Sequence, residues 1–134
     1  MIALDTNVLV RLITRDDAAQ AAAVDALLST PGKVFFLPDL VLAELAWVLA
    51  RGYAYARVEV AQVMSALLDR VDVVFEDEER VRTAVRLYAG GLDLADALIL
   101  GKAREEGCSA LASLDDAFAR VDPGYVSSPL KPHP

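Results

Sequence analysis

The stretch MIALDTNVLVRLIT, residues 1–14, contains the pattern that decides the fold. Residues 1–6 are short and apolar up to Asp5, as in a buried strand, and residues 7–14 (NVLVRLIT) have the pattern of a helix. A buried strand that leads straight into a helix opens a strand–helix–strand unit. The chain is therefore predicted to begin such a unit, with the carboxylate of Asp5 where the strand ends.

The remainder of the chain repeats this alternation. Further strands are predicted at 34–37 (VFFL), 71–75 (VDVVF) and, weakly, 109–114 (SALASL). Helices are predicted from Asp17 to the Pro31-Gly32 break, from an Asp39 cap to near Gly52, around 60–68, around 81–88, from Leu94 to Glu106, and as a short turn after Asp116. Such alternation implies a parallel sheet covered by helices on both faces. We predict one α/β domain over residues 1–134, with about 127–134 as a tail.

The composition excludes several classes of protein. The chain has 134 residues, of which 55% are hydrophobic and 25% charged, so it can form a sizeable core in one domain. No apolar run reaches the roughly 18 residues of a membrane span, and no signal peptide is apparent, so we expect a cytoplasmic protein with no membrane partner. Cys108 is the only cysteine and His133, in the tail, the only histidine. Histidine-dependent triads and zinc sites are therefore excluded, and any catalysis must depend on carboxylates.

Four carboxylates occupy positions where the strands of a parallel sheet meet their ligands, at the carboxyl ends. Asp5 and Asp115 each follow a predicted strand. Glu44 lies early in the helix after the second strand, and Asp96 lies in the first turn of the helix that begins near Leu94. We expect these four acids to converge on one edge of the sheet.

Each acid also has a purely structural explanation. Asp5 and Asp115 can cap the helices that follow them, and Asp93 with Asp96 resembles a capping box. Glu44 is harder to explain in this way, because it interrupts the apolar run LVLAELAWVLA (40–50) and has no cation within three or four residues. Its structural alternative is an ion pair with a side chain from elsewhere in the fold. Several carboxylates without histidine are the ligands of a hard cation, Mg²⁺ or Mn²⁺.

In order along the chain, four motifs resemble those of the PIN domain family. They are Asp5-Thr6-Asn7 with Arg11, Ala43-Glu44-Leu45, Asp93-Leu-Ala-Asp96 after Gly91, and Ser113-Leu-Asp115-Asp116 with Phe118. The resemblance covers nearly the whole chain and is strongest to the VapC-like toxins of prokaryotic toxin–antitoxin pairs. Leu94 stands where the family often has phenylalanine, a change that keeps the position apolar.

The resemblance implies a three-layer α/β/α fold and a metal-dependent ribonuclease that uses Mg²⁺ or Mn²⁺. It implies Asp5, Glu44, Asp96 and Asp115 as catalytic and metal-binding acids, supported by Thr6, Asn7, Asp93, Ser113 and Asp116. It leaves open which of Asp115 and Asp116 faces the site. The implied partners are an RNA substrate, a second copy of the chain in a homodimer and a VapB-like antitoxin.

Arg11, Arg15 and Arg51 are candidates for contact with RNA or an antitoxin, although each can equally be a solvated side chain. The net charge of −7 argues against tight nonspecific binding of nucleic acid. The alternatives are a PIN-like nuclease in RNA processing and a non-enzymatic dimeric binding module whose acids are caps and ion pairs. An aspartyl phosphatase is disfavoured, because it needs a second aspartate where this chain has Asn7.

Overall fold

The computed structural model describes residues 1–130, and its strands are all paired in parallel. Strands β1 (Ile2–Ala3), β2 (Phe35–Leu37) and β3 (Val73–Phe75) form one sheet in that order, with Ile2 opposite Phe35 and Phe35 opposite Val73. Strands β4 (Leu111–Ala112) and β5 (Val126–Ser127) form a second parallel pair. The predicted parallel arrangement is confirmed, and β5 is a strand that the sequence pattern did not reveal.

Seven α-helices connect these strands within residues 1–130. They are α1 (Thr6–Thr14), α2 (Ala18–Leu28), α3 (Asp39–Trp47), α4 (Arg57–Leu68), α5 (Glu78–Ala89), α6 (Leu94–Glu105) and α7 (Asp116–Val121), and a π-helical segment, Val48–Gly52, continues α3. The predicted α/β/α fold class is confirmed. No helix among these residues is both long and apolar enough to cross a membrane.

Local sequence explains where most helices begin. Asp17 and Asp77 accept hydrogen bonds from the backbone amides of Gln20 and Arg80, three residues on, which is the usual geometry of an N-cap. The apolar faces of the helices then pack on the sheet, where Phe35 and Leu37 of β2 are fully buried. The core therefore lies around the central strand, and the helix ends are left to carry the polar groups.

Two details differ from the predictions. Asp39 is the first residue of α3 and does not cap it, because its carboxylate pairs with Arg80 of α5, with 2.8 Å between Oδ2 and Nε. Ser127 belongs to β5 and Ser128 is buried, so the folded part continues past the predicted start of the tail at about 127. His133 lies outside the described residues.

Candidate functional site

A cavity of about 720 Å³ contains three of the acids that the sequence singled out. Asp93 and Asp96 come from the start of α6, and Asp115 precedes α7. The structure therefore brings Asp96 and Asp115 together, as expected, and adds Asp93 as a third carboxylate. Asp5 and Glu44 do not line this cavity.

The surroundings of Asp96 shift the pKa of its carboxyl group. Partial burial raises the pKa of its carboxyl group, and the negative charges of Asp93 and Asp115 raise it further. No salt bridge forms between these acids and any arginine or lysine in residues 1–130. The three carboxylates thus form a patch of negative charge that no described residue neutralises by a direct ion pair.

The neighbours of Asp115 hold it in place. Its Oδ1 accepts hydrogen bonds from the amides of Ala117 and Phe118, at 2.9 and 3.3 Å, and its own amide donates to Oγ of Ser113 at 3.0 Å. The capping explanation of Asp115 is therefore correct, and it leaves Oδ2 without a backbone contact. Asp116 is exposed and faces a different hollow, so Asp115 is the one that turns into the cavity.

Asp93 occupies the N-cap position of α6 without acting as a cap. Its backbone has the extended conformation of an N-cap, with φ −61° and ψ 141°, but its side chain makes no capping hydrogen bond. The capping box suggested by Asp93 and Asp96 therefore does not form. Both carboxylates remain available to a ligand of the cavity.

Asp5 lies just after β1 and caps α1, with its Oδ1 accepting a hydrogen bond from the amide of Thr6 at 2.8 Å. The side chain of Thr6 is buried, and its Oγ1 has no hydrogen-bond partner in the described structure. A buried hydroxyl without a partner costs about 1–3 kcal/mol, so it indicates an interaction with a group beyond the chain itself. Asn7 is exposed, on the side of α1 that faces α2.

Glu44 is exposed, and the expectation that it interrupts a buried helix is wrong. Helix α3 buries Val41, Leu42, Leu45 and Ala46, whereas Leu40 and Trp47 are exposed by 71% and 63% of their surfaces. Positions 40, 44 and 47 share one helical face, so Glu44 is on an outer face that is apolar at both ends. No ion pair involves Glu44 within residues 1–130, so the alternative of an internal partner is also not observed.

The chemistry of these donors fits a hard divalent cation, which prefers oxygen ligands. Asp96 could hold such an ion together with Asp93 and Asp115, and Thr6 would offer its unpartnered hydroxyl beside Asp5. In the observed arrangement, no three acidic, cysteine or histidine side chains of residues 1–130 are grouped tightly enough to form a complete ligand set. Two reasons are apparent: like charges repel, and one oxygen each of Asp5 and Asp115 is engaged by backbone amides.

The arginines predicted to contact RNA or an antitoxin differ in their surroundings. Arg11 donates to Gln20, Asp16 and Tyr53, and Arg15 makes two hydrogen bonds to Asp25, so both are engaged within the α1–α2 region. Arg51, in the π-helical segment, lines the acidic cavity and has no hydrogen bond or ion pair among the described residues.

Sequence reasoning missed two further arginines of the cavity, Arg57 and Arg86. Neither belongs to one of the acidic motifs, and no local pattern distinguishes them from ordinary surface arginines. Packing of α5 against α6, and of α4 against α5, brings them to the cavity. The site therefore combines three carboxylates and three arginines that do not neutralise one another by direct pairing.

Comparison with known proteins agrees with this arrangement of motifs. The family model of the PIN domain matches residues 2–123. A curated relative, the VapC ribonuclease of Aquifex aeolicus (strain VF5), is 27% identical over 123 residues, which cover 88% of this chain and 90% of that protein. Since the family match spans most of the chain and includes all four acidic motifs, the chain belongs to the PIN domain family.

Proposed function

We propose that this protein is a metal-dependent endoribonuclease and the toxin of a VapBC-type toxin–antitoxin pair, acting in the cytoplasm. The observation that carries the proposal is the cavity in which Asp93, Asp96 and Asp115 lie together without ion-pair partners, beside Arg51 and Arg86. Membership of the PIN family and the similarity to a VapC ribonuclease support it.

In this proposal Asp5, Glu44, Asp96 and Asp115 hold Mg²⁺ or Mn²⁺. The bound ion supplies a Lewis acid and an activated water for phosphodiester hydrolysis. Asp93 adds negative charge beside Asp96, and Ser113 keeps Asp115 in position through its hydrogen bond to the Asp115 amide. Thr6 would complete the site through its buried hydroxyl, whereas Asn7 and Asp116 face away from the cavity.

The chain's own cations would orient the RNA. The guanidinium of Arg51 makes no hydrogen bond within residues 1–130, and that of Arg86 contacts only the hydroxyl of Thr83, at 3.1 Å. Exposed guanidinium groups beside a carboxylate-bound ion are suited to bind phosphate oxygens on either side of the scissile bond. Arg11 and Arg15, which are engaged in ion pairs, would contribute less.

The proposal is tested by RNA cleavage with protein purified free of any antitoxin. Wild type should cleave structured RNAs with Mg²⁺ or Mn²⁺, and Asp5→Asn and Glu44→Gln should be folded but inactive. Asp69→Asn, at the exposed end of α4, is the matched control and should retain activity. Cleavage that survives EDTA, or that is equal in wild type and Asp5→Asn, would contradict the proposal.

A homodimer is part of the same proposal. Leu40 and Trp47 of α3 and Ile99 of α6 are exposed by 50% or more, and α3 and α6 border an apolar groove of about 300 Å³. These side chains would form the core of an interface with a second copy. Sedimentation equilibrium should show a dimer for wild type and a monomer for Trp47→Glu, whereas Val71→Glu, at a fully exposed valine in a turn, should leave the dimer intact.

The antitoxin distinguishes the toxin from a PIN-like nuclease of RNA processing. A toxin should be encoded beside a short DNA-binding protein, and co-purification with that protein should suppress cleavage. A non-enzymatic binding module with structural acids predicts neither divalent-ion binding nor cleavage. Asp93 and Asp96 favour the enzyme over that module, because within residues 1–130 neither carboxylate has a capping or ion-pair role.

A further inference from the structure

The turn between α5 and α6 is the segment that delivers Asp93 and Asp96 to the cavity. Its backbone is closed by hydrogen bonds from the amide of Gly91 to the carbonyl of Tyr88, at 3.0 Å, and from the amide of Leu92 to the carbonyl of Leu87, at 3.1 Å. Gly91 has φ of +120°, a conformation that favours glycine. Asp93 makes no capping hydrogen bond at the start of α6, so its own side chain does not fix the turn.

Arg57, the first residue of α4, binds backbone carbonyls at both ends of this turn. Its Nη1 donates to the carbonyl of Tyr88 at 2.8 Å and to the carbonyl of Leu92 at 3.1 Å, the residues on either side of the two turn glycines. Its guanidinium also lies over the ring of Tyr88, 4.4 Å from the centroid. One side chain therefore joins the end of α5 to the residue that directly precedes Asp93.

The chemistry of this contact is specific to arginine. The guanidinium remains charged at all physiological pH values, and its hydrogen bonds to carbonyls are charge-assisted. Its planar form lets it stack on an aromatic ring while it donates in its own plane, which a lysine ammonium cannot do. Tyr88 is buried, so the ring provides a rigid base for the guanidinium.

Arg51 and Arg86 line the same cavity, but within residues 1–130 neither guanidinium makes a hydrogen bond to the turn. Arg57 thus has a distinct role among the three cavity arginines. Both hydrogen bonds of its Nη1 go to backbone carbonyls of the turn.

We propose that Arg57 is a positioning residue that fixes the α5–α6 turn and thereby the direction in which Asp93 and Asp96 enter the acidic cavity. Its effect on catalysis rests on the proposed ribonuclease function, whereas its effect on the turn does not. Loss of Arg57 would leave the carbonyl of Leu92 without this donor and would loosen the start of α6. The acids would then occupy the metal-binding arrangement for a smaller fraction of the time.

Hydrogen–deuterium exchange of the full-length protein tests the structural part directly. In Arg57→Ala, the amides of residues 90–97 should exchange at least about tenfold faster than in wild type, and those of α2 should not change. Arg82→Ala is the matched control, since Arg82 also links α5 to α4 by donating to a backbone carbonyl, that of Leu68, at 3.4 Å. Its exchange in residues 90–97 should equal that of wild type.

Two further measurements separate positioning from general stability. Mn²⁺ binding, followed by electron paramagnetic resonance, should weaken about tenfold in Arg57→Ala and be partly restored in Arg57→Lys. At subsaturating Mn²⁺, kcat for RNA cleavage should fall up to about tenfold and should recover at saturating Mn²⁺, while KM for RNA and the melting temperature of the metal-free protein stay near wild type. If Arg57 had a purely structural role, Arg57→Ala would lower the melting temperature and would not lower kcat selectively over KM.

Unchanged exchange of residues 90–97 in Arg57→Ala would overturn the inference, whatever the activity. Faster exchange with wild-type Mn²⁺ affinity and kcat would overturn the link between the turn and the acids. If wild type shows no metal-dependent cleavage, the proposed function fails. In that case the hydrogen–deuterium exchange and the Mn²⁺ binding of Arg57→Ala still decide the role of Arg57.

Discussion

The two ends of α6 carry acidic clusters of opposite design. At the C-terminal end, Glu105 joins Asp39 and Asp77 around Arg80, whose side chain is only 4% exposed. At the N-terminal end, Asp93 and Asp96 lie beside Asp115, and no arginine of residues 1–130 is in ion-pair contact with them. The first cluster is ion-paired with its own arginine, whereas the arginines that line the cavity of the second form no ion pair with its acids among the described residues.

The titration of the acids follows this difference. The pKa of Asp77 is lowered, chiefly by the hydrogen bond from the backbone amide of Arg80, with help from the Arg80 guanidinium. The pKa of Asp96 is raised by burial and by its two acidic neighbours. Acids that the chain neutralises contribute to stability, whereas acids that it leaves charged together cost stability and suit an external cation.

The largest expected effect is on catalysis at the N-terminal end. Asp96→Asn should reduce metal-dependent RNA cleavage by about 100-fold or more, because a metal centre contributes several kcal/mol to the transition state. Glu105→Gln, on the same helix, should change kcat/KM by less than about threefold in the folded protein, since Glu105 serves the structural cluster. Comparable losses in both variants would mean that the two ends do not differ in function.

The largest expected effect on stability is at the C-terminal end. Arg80→Met should lower the free energy of unfolding by about 3 kcal/mol. The reason is that the variant leaves Asp39 and the other acids of this cluster in a partly buried site without the guanidinium that pairs with them. Urea denaturation measures this change. Arg86→Met, three-quarters of the way along the same helix and exposed, is the control and should change the unfolding free energy by less than about 0.5 kcal/mol.

Divalent ions should distinguish the clusters by thermal unfolding. Mg²⁺ or Mn²⁺ at about 100 times its dissociation constant should stabilise wild type by about 2.7 kcal/mol and raise its melting temperature. The rise should be lost in Asp96→Asn and kept in Glu105→Gln, because only the acids of the N-terminal cluster lack a direct ion pair within residues 1–130. A rise of equal size in Asp96→Asn would place the bound ion elsewhere.

The smallest expected effect is a pH dependence at Asp77. Since its folded pKa is lowered, its carboxylate contributes stability above the unfolded value of about 3.9 and loses it as the pH falls through the folded pKa. Asn is also a good N-cap, so Asp77→Asn should be slightly less stable than wild type at pH 7, and the difference should shrink as the pH falls below the unfolded value and vanish below the folded pKa. Urea denaturation at several pH values tests this, with Asp69→Asn as the control; a constant difference would exclude the charge as its cause.

Much of the fold was accessible from the sequence because periodicity and caps are local. The alternation of apolar strands with helices predicted the parallel α/β arrangement, and Asp17 caps α2 as its position before the helix suggests. The short strand β5 was missed because Val126 and Ser127 form too brief a segment to show a period, and it exists only by pairing with β4. The acidic motifs could be recognised from type and spacing, but their contacts could not.

The sequence by itself determined the donor chemistry: a chain with one histidine in its tail and acids after its strands is limited to carboxylate ligands. Tertiary structure alone decided how each acid is used. It placed Asp39 against Arg80 instead of at a helix cap, exposed Glu44, turned Asp115 rather than Asp116 into the cavity and brought Arg57 to the α5–α6 turn. The physical reason is that secondary-structure propensity depends on neighbours in sequence, whereas ion pairing and burial depend on neighbours in space.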